Sequence, residues 1–96
     1  MNLHEQQRQG YAAEDLLANP LLAEALKAIK DEVTAQWMEC PARDHEGKEA
    51  LWQLAKTAQK FENLLTGYIQ TGKLATDKLK QYEDRKGLMD RIRRIA

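Results

Sequence analysis

The chain carries one cysteine, Cys40, in 96 residues. A single thiol cannot close an internal disulfide, which excludes a disulfide-stapled scaffold of the secreted kind. Only two prolines, Pro20 and Pro41, and five glycines interrupt it, so long stretches run without a breaker. Val, Ile, Thr and aromatic residues are sparse and nowhere alternate over the length of a strand, which removes β-sheet from the reading. No apolar run approaches the roughly 18 residues of a membrane span. The polar segment from Met1 to Gln9 lacks the apolar stretch of a signal peptide, so the expected compartment is the cytoplasm. Formal net charge is zero, and the overall balance therefore points to no partner.

What remains is helix-forming sequence. Ala, Leu, Glu, Lys and Gln dominate, and these lose little side-chain freedom in a helix. A hydrophobic fraction of 43% beside a charged fraction of 31% fits one folded domain, with too few residues for two cores. The charges are unevenly placed. Residues 1–72 hold 7 Lys and Arg against 11 Asp and Glu, a net of −4, and residues 73–96 hold 8 against 4, a net of +4. Such a polarised chain is suited to associating with itself or to folding its basic end onto its acidic body.

Punctuation divides the chain into an N-terminal helix within residues 1–18, a central antiparallel hairpin over 19–72, and a basic C-terminal helix over 73–96. The first helix is expected over about Glu5 to Ala18, weakened by Gly10. Asn19-Pro20 ends it and opens the next, since Pro20 disfavours helical geometry at Asn19, and asparagine before proline is a helix-start pair. The second helix, about 20–38, sets Leu22, Leu26, Ile29, Val33 and Trp37 on one face at spacings of three and four. Pro41 closes it, and Asp44 caps a third helix, about 45–71, with Glu46 and Glu49 near the positive end of its dipole. Gly72 followed by Lys73 reads as its C-terminal stop, and a fourth helix is expected from about Thr76.

In the third helix Leu51, Leu54, Ala58, Phe61, Leu65 and Tyr68 alternate by three and four, a coiled-coil-like seam of about three heptads. It is expected to bury against the second helix and a second subunit. At 1.5 Å per residue the third helix overhangs the second by about two turns. The first helix, the fourth helix or another copy must cover that overhang.

Chemistry-bearing motifs are few. Gly67 to Lys73 fits G-x-x-x-x-G-K, but Leu74 stands where a phosphate loop needs Ser or Thr for magnesium, and an amphipathic helix precedes it where a strand is needed. His45-Glu46-Gly47-Lys48-Glu49 begins like a zinc-protease helix but has Glu49 in place of the second histidine. Cys40 with His45 has no orienting third group and no oxyanion donor. No catalytic residue, metal or cofactor is therefore expected, and the chain reads as a non-enzyme. Trp37 is expected in the core. Trp52, one residue off the seam, reads equally as core or as a partner anchor. Arg85, Lys86, Arg91, Arg93 and Arg94 form a basic segment suited either to an anionic partner or to a solvated helix end.

The order Ala13-Glu14, Leu16-Leu17, Asn19-Pro20, Trp37, Arg43 to Glu49, Leu51-Trp52 and Thr71 to Ala75 resembles that of small uncharacterised helical proteins of tailed bacteriophages and prophages. The resemblance covers about residues 10–75 and excludes the basic end. It implies a phage origin and, by association with virion structural genes, a role in virion assembly or structure, in the bacterial cytoplasm or the virion itself. It brings no catalytic residues. The expectation is thus an all-α accessory protein acting through oligomerisation and protein binding. A small inhibitor of a host enzyme or defence complex is the second reading, and a nucleic-acid-binding regulator using the C-terminal helix the third.

Overall fold

A computed structural model describes residues 2–95. They form three helices and, among the described residues, no strand: α1 Leu3–Ala18, α2 Pro20–Glu39 and α3 His45–Ile95. The all-α expectation holds. The starts are fixed by the residues that the sequence offers for them. Asn2 Oδ1 accepts from the Glu5 N–H at 2.8 Å, Asn19 Oδ1 from the Leu21 N–H at 2.9 Å, and Asp44 Oδ1 from the Gly47 N–H at 2.9 Å. Each satisfies a backbone donor that a helix start leaves without an intrahelical partner.

The expected stop at Gly72 and separate fourth helix are corrected. α3 runs without interruption for 51 residues, or about 76 Å at 1.5 Å per residue, nearly the whole 79 Å length of the molecule. Gly72 does not end the helix, because no glycine among the described residues has positive φ, and a left-handed cap requires one. Glu83 to Lys86 dilute the apolar stripe, but these residues are good helix formers and do not break the helix.

Both shorter helices lie along α3, and their contacts run in the opposite order to its sequence. Gln7 Nε2 donates to Thr76 Oγ1 at 2.9 Å, Gly10 lies against Gly72, Lys30 pairs with Glu62 at 2.7 Å, and Lys48 reaches Trp37 O at 2.7 Å. The chain therefore goes out as two helices, bent at Asn19-Pro20, and returns as one. α1 is what covers the overhang left by α2. Of the two, α1 makes the more extensive contact with α3.

That contact depends on small residues. A Cβ on Gly10 would stand 2.8 Å from Gly72 Cα and 3.0 Å from Tyr68 O, and a Cβ on Gly72 would stand 2.8 Å from Gly10 Cα. The obstacles are backbone atoms, so the helices approach this closely only because both positions lack a side chain. Ala13 and Ala75 are buried beside them. Thr76 completes the junction by donating to Gly72 O at 3.0 Å while accepting from Gln7.

Candidate interaction surface

α3 presents two apolar columns, each with a seven-residue step. In the first, Leu65 and Gly72 are buried, and Leu51, Ala58 and Leu79 are half-buried. This column faces α1 and α2. In the second, Leu54 is 48% exposed, Phe61 44%, Tyr68 37%, Tyr82 58% and Met89 54%, and only Ala75, under α1, is closed. The expected seam of Leu51, Leu54, Ala58, Phe61, Leu65 and Tyr68 is thus divided between the two columns. Half of it packs within the chain, and Leu54, Phe61 and Tyr68 stand on its open edge. α1 and α2 sit over the first column and leave the second open except at Ala75.

Beside the open column, α2 and α3 bound a shallow groove. Leu22, Leu26 and Ile29 line it from α2, and Leu54, Thr57 and Phe61 from α3. Of the five apolar residues that share a face on α2, only Val33 is buried. Trp37, expected in the core, is instead 41% exposed. Its ring lies under the Lys48 ammonium, 4.2 Å from the centroid, while the same Lys48 bonds its carbonyl. This clasp fastens the end of α2 to the start of α3. Trp52 is 50% exposed, with Lys56 at 5.4 Å from its ring, so it belongs to the surface.

Beyond Thr76 α3 stands nearly alone. Residues 80–95 are all exposed, among them Tyr82, Leu88, Met89 and Ile92. Arg85, Lys86, Arg91, Arg93 and Arg94 are carried here, with no ion pair recorded for them among the described residues. At 100° per residue they distribute around the helix and do not gather into one basic face.

The remaining motifs resolve plainly. Gly67 to Lys73 lies wholly inside α3, where the backbone N–H groups are engaged in the helix and cannot cradle a phosphate. The Cys40 thiol is half-buried and directed to Asp44 Oδ2 at 3.8 Å, Pro41 O at 3.9 Å and Asp44 O at 4.0 Å, three acceptors in the α2–α3 turn. Among the described residues no group of three His, Cys, Asp or Glu side chains is placed to hold a metal ion, and no helix is long and apolar enough to cross a membrane.

Sequence reasoning overlooked the Gly10–Gly72 crossing. The signal was present as small residues at helical spacing on both partners, Gly10 with Ala13 and Gly72 with Ala75 and Thr76. Each glycine taken alone reads as a weak point or a stop. Comparison of the chain with family models, with characterised proteins and with solved structures returns no match.

Proposed function

We propose that the chain is a non-catalytic assembly protein that works through helix-mediated oligomerisation and protein binding. The observation that carries this reading is the open column of α3, where Leu54, Phe61, Tyr82 and Met89 are each exposed on one face of a single helix. Burying apolar area stabilises association by about 25 cal/mol per Å², and an exposed aromatic and aliphatic stripe of this length is the kind of surface that partners cover. The resemblance of residues 10–75 to small tailed-phage proteins supplies the context, a virion-assembly or structural role in the bacterial host cytoplasm or in the virion. In this reading α2 and the first half of α3 act as the antiparallel hairpin that holds the column rigid.

Two substitutions separate folding from association. Leu65 is buried, so Leu65→Asp is expected to unfold the chain, because an unpaired carboxylate in the packed column has no compensating partner. Leu54→Asp is expected to keep the helical circular dichroism and lose the oligomer on light scattering. A wild-type chain of monomer mass, or a Leu54→Asp oligomer of unchanged mass, would sink the proposal.

One observation favours a second reading. Glu14, Asp15, Asp31, Glu32 and Glu39 are all exposed on α1 and α2, an acidic surface suited to a basic cleft on a host enzyme or defence complex. Stoichiometric capture of one host protein from lysate, with the chain absent from purified virions, would favour inhibition. The nucleic-acid reading has weaker support, since the cations of residues 85–94 circle the helix. It requires a salt-dependent DNA shift that disappears when residues 85–96 are removed.

A further inference from the structure

We propose that the open column of α3 is covered by the same column of a second copy running antiparallel, so that the basic end of each chain lies along the acidic body of the other. This rests on the self-association proposed above and adds the partner, the direction and the register.

Continuity is the first argument. The open column is the flank of the face on which α1 and α2 already pack, and it continues at seven-residue steps past the last contact of α1 into the solitary end of the helix. A seven-residue apolar repeat on α-helices selects another helix as its cover, wound with it as a left-handed pair. The exposed Leu64 and Ile92 stand three residues beyond Phe61 and Met89, as the second position of such a repeat requires.

Charge sets the direction. α1 and α2 each carry a net −2, and residues 73–96 a net +4. Parallel chains would place the two basic ends side by side, with Lys78 and Arg85, which share the repeat position of Leu64 and Ile92, facing their own copies. Like charges brought together desolvated oppose association. Antiparallel chains bring each basic end alongside the other copy's α2, which carries the opposite sign.

The spacing of the large residues then fixes the register. With the two-fold axis at Thr71 and Gly72, Leu54 comes level with Met89 of the second copy and Phe61 with Tyr82, while Tyr68 of each copy flanks the axis beside α1, which covers Ala75. Lys60 comes level with Glu83 and Glu49 with Arg94, and no like charges come level along the two copies of α3. The same symmetry makes the interface self-complementary, as a closed dimer requires.

The test is cysteine crosslinking of the full chain in a Cys40→Ser background, at positions that are exposed in the folded chain. Thr71→Cys, beside the axis, is expected to form a disulfide with itself. Met89→Cys alone is expected to stay uncrosslinked, and to crosslink when mixed with a Leu54→Cys chain. Wild-type association should weaken roughly tenfold as salt shortens the Debye length from about 10 Å to about 3 Å. A light-scattering monomer would overturn both this arrangement and the self-association beneath it. A dimer in which Met89→Cys crosslinks to itself would overturn the arrangement alone, as would a dimer strengthened by salt.

Discussion

At Gly10 and Gly72 two backbones meet, and a single methyl group decides whether they can. Gly72→Ala has a local benefit, since alanine in a helix interior is favoured over glycine by about 1 kcal/mol. It also drives a Cβ to within 2.8 Å of Gly10 Cα, and overpacking of this kind costs about 1–3 kcal/mol. The collision wins because neither obstacle is a side chain that can rotate away. Gly67 and Gly87 have nothing within 4 Å of a built Cβ. Gly67→Ala and Gly87→Ala should therefore stabilise the chain by about 0.5–1 kcal/mol in urea unfolding, and Gly72→Ala should destabilise it. Three glycine-to-alanine changes of one sign would refute the crossing. Lys30 and Glu62, at 2.7 Å but half solvated, are a weaker feature, and Glu62→Gln should cost under about 1 kcal/mol by the same measurement.

Local chemistry was legible at this scale wherever a residue acts on its own neighbours. Asn19 and Asp44 cap the helices they were expected to cap, because a side chain reaching an N–H two or three residues on needs no partner from elsewhere. Gly72 was misread for the opposite reason. Its local meaning is a stop, and its actual meaning is supplied by Gly10, 62 positions earlier in the chain.

The elements follow from how few residues interrupt them. Asn19-Pro20 and Pro41 separate three helices, and after His45 there is no proline to halt the third. Asn19→Ala should cost about 1 kcal/mol through loss of the α2 cap, read as a lowered urea midpoint with unchanged helix content. Removing residues 77–96 takes away the solitary end of α3 but leaves Thr76 and its bond to Gln7, so at a concentration where both chains are monomeric the truncated chain should unfold at nearly the same midpoint. A collapse of the α1 packing after truncation would mean that the end of α3 supports the body. The α2 stripe shows how periodicity can name a face without measuring its burial. Leu22, Leu26, Ile29, Val33 and Trp37 share one side as expected, yet only Val33 is closed, because α2 meets one neighbour where a full core would need several.

As a whole the molecule is a rod, 79 × 26 × 16 Å with a radius of gyration of 22.0 Å, where a compact chain of this length would have about 12–13 Å. A rod has much surface and little interior. Among the described residues no large side chain is fully buried, and the proposed second copy would add burial that the single chain has little of. The proposed pairing makes a sharp prediction in solution scattering. Its axis lies within two residues of the midpoint of α3, so doubling the mass should lengthen the particle by only about 5 Å. End-to-end association would nearly double the length. The all-α class was readable because helix formers fill the chain, whereas the rod shape was not, since it depends on α3 ignoring Gly72.

The docking of α1 on residues 65–76 also has a consequence in time. During synthesis α1 is complete long before Thr76 has been made. At roughly 5–20 residues per second the intervening 58 residues take about 3–12 s. For that interval the N-terminal helix lacks the α3 surface that makes most of its contacts, while the α2–α3 turn, being local, can already close. The chain is thus built to finish folding from its middle outward, its first helix seated last, and a pause in translation before Gly72 would leave that helix free for other partners.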